Sequence, residues 1–186
     1  MSLTDRRTFM FTGAAALAAG PALAASGPYQ VPEHLRPRIV EIKDGFRPNE
    51  IHVDPEYFSL YWTLPDGKAI RYPVGIGVEG RYHSGTFRVG RKAEWPSWTP
   101  TPAMIRREPE IYAKHAGGMS GGGINPLGAR ALYLYNGNRD TYLRIHGTPK
   151  PQTVAARVSN GCVRMINEHV IDLYNRVPTG TRVVLH

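Results

Sequence analysis

Short runs of alternating or β-branched side chains, separated by turn residues, make up most of the chain after residue 50. Asp66-Gly67 lies between the runs SLYWTL and KAIRYPV, which is a strong signal for a β-hairpin. Asn136-Gly137 lies between ALYLY and TYLRI and predicts a second hairpin, with a longer loop. INEHVIDLYNRV predicts an amphipathic helix with Asn167 as its N-cap, and PQTVAARV predicts another turn or two. The sequence therefore predicts a mainly β domain, a β-sandwich or barrel-like sheet with one or two short helices.

Residues 1–25 have the composition of a secretory signal peptide. Arg6 and Arg7 precede an apolar run rich in small residues, and the triplet ALA near its end fits a cleavage site. An Arg-Arg pair followed by Thr-Phe-Met is typical of the twin-arginine export route. The alternative is a transmembrane anchor or a buried helix, but the run is short for a bilayer and a Gly-Pro pair interrupts it. We therefore expect export to the periplasm.

The rest of the chain has the size of one domain. Residues 26–38 carry three prolines and predict a linker or extended arm, which leaves residues 39–186 as the folded unit. Removal of residues 1–25 takes away two arginines and one aspartate, so 21 basic and 14 acidic residues remain, with a formal net charge of +7. A basic surface favours polyanionic partners, in the periplasm the carboxylates of wall peptides and lipid phosphates. No run of Lys and Arg with interleaved aromatic residues indicates a nucleic-acid-binding module.

Residues 95–128 form a long segment that is dense in Trp, Pro and Gly. Loops of this length in a compact domain are usually functional or disordered. Trp95 and Trp98 argue against disorder, because indole rings bury large apolar areas. We interpret the segment as an ordered loop that borders a cleft. A surface loop without a function is the alternative.

Cys162 is the only cysteine in the sequence. In an oxidising compartment structural cysteines come in pairs, and a single cysteine cannot form an internal disulfide. The count alone leaves three interpretations: a buried inert side chain, half of an intermolecular bridge, or a reactive thiol.

The residues around Cys162 can supply each part of an acyl-transfer site. Such a site needs a thiol partly ionised to thiolate, a histidine that exchanges its proton, and donors for the oxygen of the tetrahedral intermediate. His146 follows the alternating run TYLRI and can lie at a strand end, where the backbone carbonyl of Gly147 can orient its ring. Gly161 lets the backbone approach a substrate carbonyl, and the amides of Gly161 and Cys162, with Asn160, are candidate oxyanion donors.

The other histidines show no clustered spacing of metal ligands. We assign all six to surface or packing roles: His34, His52, His83, His115, His169 and His186. A zinc site that used Cys162 and His146 would lack obvious third and fourth ligands, so we expect no metal site.

The segment IHGTPKPQTVAARVSNGCVRMINEHVIDLYNRVPTGTRVVL resembles the signature of the L,D-transpeptidase (YkuD-type) catalytic domain. That family has HGT, a gap of this kind, S-x-G-C-[VI]-R-[ML] and then a short helix. The resemblance extends upstream through GTFRVGRKAEWPSWTPTP and GGMSGGGINPLGARALYLY, a pattern of the Gram-negative envelope branch known as ErfK/YbiS/YcfS/YnhG. It covers residues 50–186 and implies that residues 39–186 form an L,D-transpeptidase catalytic domain.

The resemblance implies a role for each matching position. The family's nucleophile corresponds to Cys162, its histidine base to His146, and the carbonyl that orients this histidine to Gly147. Three further positions fall on the invariant part of the cysteine motif: Ser159, Gly161 and Arg164. Arg164 either neutralises a substrate carboxylate or braces the loop. Asn160 stands where many members have His or Ser, and YHSGTF replaces the more common TPTGTF. We expect Trp95 and Trp98 to contact substrate.

The resemblance also implies a reaction. The thiol of Cys162 would attack the carbonyl of the third residue of a peptidoglycan tetrapeptide stem, release D-alanine and form a thioester. An amine of a neighbouring stem would then give a 3→3 cross-link; a lysine of an outer-membrane lipoprotein, or water, are other acceptors. No metal or organic cofactor is implied, and acylation by carbapenems is expected. The alternatives are an L,D-carboxypeptidase or other hydrolase with the same site, a non-catalytic peptidoglycan-binding module, and a protease of ordinary L,L-peptides.

Overall fold

Eleven strands carry the fold among residues 29–186, the part of the chain that the computed structural model describes. They are β1 (Arg38–Glu41), β2 (Ile51–Asp54), β3 (Ser59–Thr63), β4 (Lys68–Pro73), β5 (Ile76–Gly77), β6 (Gly85–Glu94), β7 (Arg130–Asn136), β8 (Arg139–His146), β9 (Arg157–Ser159), β10 (Val163–Arg164) and β11 (Arg182–Leu185). Three short helices accompany them: α1 (Pro102–Arg107), α2 (Pro109–Tyr112) and α3 (Asn167–Arg176). The structure therefore confirms the mainly β fold. The predicted signal peptide lies outside the described residues.

Nine of these strands form one sheet in the order β1-β4-β3-β2-β11-β6-β7-β8-β10, and β5 pairs with β9 in a second, two-stranded sheet. Most neighbours are antiparallel, but β11 runs parallel to β2 and β10 runs parallel to β8. The strand β11 lies between β2 and β6 and so joins the first four strands to the strands that carry the site. The core consists of apolar side chains from both parts, among them Ile51, Leu60, Tyr72, Leu132, Leu134, Ile145, Val163 and Leu185.

Both predicted hairpins are present. Asp66 and Gly67, with left-handed φ angles of 60° and 63°, lie in the loop of residues 65–67 between β3 and β4, which a hydrogen bond from the Leu64 amide to the Lys68 carbonyl closes. Asn136 pairs directly with Arg139 in the β7–β8 hairpin, so only two residues separate the strands. The prediction of a longer loop was therefore wrong, because the hairpin closes as soon as the chain passes Asn136-Gly137.

Helix α3 confirms the predicted amphipathic helix but not its cap. The N-cap position is Ile166, and Asn167 is the first helical residue. The side-chain oxygen of Asn167 instead accepts hydrogen bonds from the backbone amides of Ala129 (3.0 Å) and Thr148 (3.1 Å). The apolar face of the helix buries Val170 and Leu173 against the sheet. The predicted helical turn in PQTVAARV is a single 3₁₀ turn, Pro151–Thr153.

The long segment of residues 95–128 is built around short helices and its own hydrogen bonds. Helices α1 and α2 and the 3₁₀ turn Ala113–His115 lie within it. Backbone hydrogen bonds in both directions link Trp98 to Met119, at 2.9 and 2.7 Å. The Asn125 side chain donates to the carbonyls of Met119 and Ser120. These contacts fix the shape of the segment beside β6.

Two further features concern the N-terminal part and the helices. In the described part of the predicted arm, the 3₁₀ turn Glu33–Leu35 buries Leu35, and β1 then pairs with β4. No helix within residues 29–186 is both long and apolar enough to cross a membrane.

Candidate active site

The ends of two neighbouring strands place Cys162 and His146 on the same side of the sheet. His146 is the last residue of β8, and Cys162 comes directly before β10. In the parallel pairing of these strands, Val163 lies opposite Ile145 and Arg164 lies opposite His146. Because side chains alternate between the two faces of a strand, Cys162 shares the face of Arg164 and His146. Cys162 and His146 therefore lie on one face of neighbouring strands, offset by two residues along the strands, because Cys162 lies two residues before Arg164.

The imidazole of His146 is held in one tautomer. Its Nδ1 lies 2.6 Å from the carbonyl oxygen of Gly147. A carbonyl can only accept a hydrogen bond, so Nδ1 carries the proton and the lone pair is on Nε2. Gly147 also fits closely, since a Cβ there would overlap the side-chain oxygen of Asn167. This geometry agrees with the predicted orienting role of Gly147.

Burial keeps both reacting groups neutral in the free protein. His146 is 4% exposed, and this burial, with the charges of Arg164 and Arg144, lowers its pKa to about 3 against the raising effect of the Gly147 carbonyl. Burial raises the pKa of the Cys162 thiol, although a hydrogen bond from the Arg144 backbone and the two guanidinium charges act in the opposite direction. Both shifts favour the neutral forms, a thiol and an imidazole, in the free protein. The partly ionised thiol stays a prediction.

Ser159 shapes the loop that carries the thiol. Its hydroxyl donates to the carbonyl of Cys162 (2.6 Å) and accepts from the amide of Gly161 (3.1 Å). Gly161 has a φ of +126°, and a Cβ there would lie 2.8 Å from the Arg81 carbonyl oxygen. The Gly161 amide is thus hydrogen-bonded inside the loop. Of the two predicted backbone donors, the Cys162 amide is the better candidate for binding the oxyanion.

Asn160 connects this loop to the long segment. Its side-chain oxygen accepts from Arg81 (2.6 Å) and Arg107 (2.7 Å), and its amide nitrogen donates to the hydroxyl of Tyr112 (2.8 Å). Both arginines also pair with Glu108. The Asn160 side chain therefore links the thiol loop to the long segment, and the predicted part of Asn160 in oxyanion binding stays a prediction. These partners lie 48 to 79 positions away in the sequence, where no local pattern could indicate them.

The thiol faces a cleft of about 950 Å³. Its walls come from β6, β8, the Cys162 loop and residues 97–107, and they include Trp98 and His83. Trp98 therefore lines the cleft, and its contact with substrate stays a prediction. The Trp95 side chain is half exposed and is not among the lining residues, so its contact with substrate stays a prediction.

Arg164 lies beside His146 and outside the lining of the cleft. Its guanidinium donates to the Thr153 hydroxyl at 3.1 Å, and its backbone pairs with Gly75 in both directions at 2.7 Å. These contacts favour the bracing role over direct contact with a substrate carboxylate.

A distorted part of β8 brings Tyr142 to the thiol. The pairing of β7 and β8 is irregular between Tyr133 and Tyr135, where Tyr142 adopts a φ of +62°. Asp140 supports this conformation by accepting from the Tyr142 amide at 2.8 Å. The Tyr142 carbonyl lies 3.8 Å from the Cys162 sulfur, and its ring is 70% exposed at the edge of the cleft. Left-handed backbone at a tyrosine is uncommon and concentrates at functional sites.

The remaining histidines are dispersed. His52 and His186 contact each other at 3.1 Å, His115 lies against Trp98, and His169 is a buried residue of α3. Within the described residues, no three His, Cys, Asp or Glu side chains form a group that could hold a metal ion.

Residues 48–185 match the family of the YkuD L,D-transpeptidase catalytic domain. The probable L,D-transpeptidase ErfK/SrfK of Escherichia coli (strain K12) is 38% identical over 140 residues, which are 72% of this chain and 42% of that protein. The probable L,D-transpeptidase YbiS of the same strain is 35% identical over 125 residues, which are 66% of this chain and 39% of that protein. The chain thus spans less than half the length of these curated relatives.

Solved structures share the fold. A crystal structure of a probable carnitine operon oxidoreductase CaiA from Brucella melitensis is 46% identical, with a TM-score of 0.58 over 84% of this chain and 96% of that chain. L,D-transpeptidase 3 from Mycobacterium tuberculosis, in complex with a faropenem-derived adduct, is 15% identical, with a TM-score of 0.53 over 73% of this chain and 59% of that chain. At 15% identity the likeness concerns the fold alone. The family match over residues 48–185 and the curated relatives together show that the chain belongs to the YkuD-type L,D-transpeptidase family of enzymes.

Proposed function

We propose that this protein is a cysteine-dependent L,D-transpeptidase that acts on the tetrapeptide stems of peptidoglycan. The observation that carries the proposal is that the Cys162 thiol lines a cleft and shares a sheet face with His146, whose Nε2 lone pair is available. A nucleophile next to an oriented base is the arrangement that acyl transfer requires.

In the proposed first step, Cys162 attacks the carbonyl carbon of the third stem residue. The thiol proton passes to Nε2 of His146, and the Cys162 amide stabilises the developing oxyanion. The bond to the terminal D-alanine then breaks, and His146 returns the proton to the leaving amine. The imidazolium that forms in between is stabilised by the Gly147 carbonyl, because its hydrogen bond raises the pKa of this ring. The product of this step is a thioester on Cys162.

In the second step an amine attacks the thioester and releases the thiol. An amine of a neighbouring stem gives a 3→3 cross-link, and a lysine of an outer-membrane lipoprotein gives an anchored protein. Water would give a free tripeptide, the reaction of an L,D-carboxypeptidase. The cleft wall formed by Trp98 and Met104 supports amine transfer over hydrolysis, because apolar walls exclude water from the thioester.

Products from disaccharide-tetrapeptides, separated by mass, test this proposal. Cross-linked dimers that have lost one D-alanine, from the donor stem, are expected from the unmodified protein and not from Cys162→Ala. If tripeptides are the only products, the protein is a hydrolase and not a transpeptidase. If the substrate is unchanged although the protein is folded, the remaining interpretation is a non-catalytic binding module.

Acylation by a carbapenem tests the nucleophile separately. We propose that a carbapenem adds its mass to the protein through Cys162. The intact mass of the Cys162→Ala variant should remain unchanged. A shift that persists in this variant would place the reactive group elsewhere.

We further propose that residues 1–25 direct export to the periplasm by the twin-arginine route. The Arg-Arg pair and the apolar run after it support this proposal. A reporter fused to residues 1–30 should be exported, and an Arg6→Lys, Arg7→Lys double variant should remain in the cytoplasm. Export that is unaffected by the double substitution would argue for a different route.

A further inference from the structure

A row of side chains crosses four neighbouring strands and ends at the thiol. Arg91 on β6 lies opposite Tyr133 on β7, and Tyr133 lies opposite Arg144 on β8. By the β8–β10 register, Cys162 stands beside Arg144. Directly paired residues share a face of the sheet, so all four side chains lie on one face. All four also line the same cleft.

Tyr133 holds the two arginine side chains in place. The guanidinium carbon of Arg91 lies 3.5 Å from the centre of the Tyr133 ring, and that of Arg144 lies 4.1 Å from it. The ring itself is only 5% exposed. Stacking on an aromatic face fixes the plane of a guanidinium group but leaves its N–H donors free. Arg91 is therefore oriented before any ligand binds.

Arg91 differs from the other cleft arginines in its charge environment. Arg144 forms a bidentate pair with Asp140, at 2.6 and 2.9 Å. Arg81 and Arg107 share the carboxylate of Glu108. Within residues 29–186, Arg91 has no carboxylate partner, and no Asp or Glu lines the cleft. Among the arginines that line the cleft, Arg91 is thus the one whose charge is available to an anionic ligand.

A β-bulge aims Arg91 at the cleft. The β6–β7 pairing shifts between Val89 and Arg91, so that Gly90 is an extra residue in β6. Only glycine fits at this position, because a Cβ would overlap the ring of Tyr135. If Gly90 were instead paired regularly with Tyr133, Arg91 would lie opposite Leu132 and face the other side of the sheet.

We propose that Arg91, stacked on Tyr133, is a specificity-determining residue that binds a carboxylate of the stem peptide. This inference rests on the proposed function. Three strand spacings separate Arg91 from Cys162, roughly 14 Å between backbones. The carboxylate of the terminal D-alanine is excluded, because it lies close to the bond that Cys162 attacks and therefore too far from Arg91. The carboxylate is instead the α-carboxylate of the preceding glutamate or the distal carboxylate of the diamino acid. A guanidinium fork recognises either one through paired N–H donors.

The test compares three disaccharide-tetrapeptides: one with both carboxylates free, one amidated at the glutamate, and one amidated at the diamino acid. The unmodified protein should have a KM about tenfold higher for one of the amidated substrates, with little change in kcat. That substrate identifies the carboxylate. In Arg91→Gln the preference should fall to within about twofold, and Arg91→Lys should keep part of it. Arg88→Gln is the matched control. Arg88 is on β6, as Arg91 is, and stacks on Tyr135 of β7, but it does not line the cleft.

Two outcomes would overturn the inference. The unmodified protein could show the same KM for all three substrates, or Arg91→Gln could keep the full preference. Binding of the same three molecules to Cys162→Ser, measured by calorimetry, gives a result that does not need turnover. Binding that favours the free carboxylate and is lost in the Cys162→Ser, Arg91→Gln double variant supports the subsite even if the unmodified protein transfers no acyl group. Equal affinities would overturn it even if the protein is an active transpeptidase.

Discussion

Burial decides the chemistry of the two reacting side chains at the residue scale. The raised pKa of the Cys162 thiol and the lowered pKa of His146 favour two neutral groups over a thiolate–imidazolium pair before substrate binds. Nearby arginines favour the thiolate but act against the larger effect of desolvation. In the proposed reaction we therefore expect the proton to move during attack, when the substrate carbonyl lies against the sulfur.

The pH dependence of thiol alkylation should reflect this neutral pair. Because a raised pKa leaves little thiolate at neutral pH, the rate of reaction of Cys162 with iodoacetamide should be low at pH 7 and rise about tenfold per pH unit up to pH 9. The measurement is intact mass against time, with free cysteine as the reference compound. A rate that is already constant between pH 5 and pH 7 would instead indicate a stable ion pair.

Gly161 is the residue in the thiol loop that tolerates substitution least. Gly161→Ala adds a Cβ that would lie 2.8 Å from a backbone oxygen, at a φ of +126°. We expect a loss of about 2 kcal/mol in the free energy of unfolding and a loss of carbapenem acylation. Gly180→Ala is the matched control, since its φ is +90° and nothing lies within 4 Å of the added Cβ. Equal losses in the two variants would show that the clash with Arg81 has no effect.

At the scale of elements, α3 is fastened to the histidine loop by one side chain. Asn167, at the first position of the helix, accepts hydrogen bonds from the amide of Ala129, just before β7, and from the amide of Thr148, two residues after His146. Asn167→Ala would leave both amides without an acceptor, and we expect it to lower the free energy of unfolding by about 2 to 3 kcal/mol. Asn167→Asp keeps the oxygen and should recover most of this loss. Urea unfolding measures both, and equal stability of the two variants would contradict the assigned role.

The elements also show what the sequence could and could not predict. Asp66-Gly67 predicted its hairpin because residues that adopt a left-handed φ form a turn locally. HGT with S-x-G-C-x-R predicted that Cys162 and His146 act together, and the structure has the two on one face of neighbouring strands. The role of Asn167 could not be predicted, because a cap and a bridge between loops use the same residue type. The contacts of Asn160 with Arg81 and Tyr112 depend on long-range packing. The neutral state of the thiol depends on burial, which a local motif does not give.

At the scale of the whole molecule, two buried histidines make stability depend on pH. The pKa of His169, lowered by burial, is about 4, and that of His146 is about 3, both below the unfolded value of 6.5. Below pH 6.5 the unfolded chain binds protons that the folded protein does not. The stability conferred by neutral histidines is therefore complete above this pH and decreases as the pH falls towards the folded values.

Between pH 7 and pH 5 we expect the free energy of unfolding to fall by about 1 to 2 kcal/mol for each of the two histidines. Urea unfolding at pH 7, 6 and 5 measures the fall. His169→Asn, which cannot titrate, should show a smaller decrease than the unmodified protein. An equal decrease in both proteins would mean that His169 does not contribute.

The position of β11 has a consequence for how the chain folds during synthesis. Residues 182–185 follow all the other strands in sequence, yet they fill the gap between β2 and β6. Until the ribosome has released them, the nascent chain exposes two unpaired strand edges, which are sites for association with other chains. We therefore expect the sheet to close late in folding, when this segment inserts between β2 and β6.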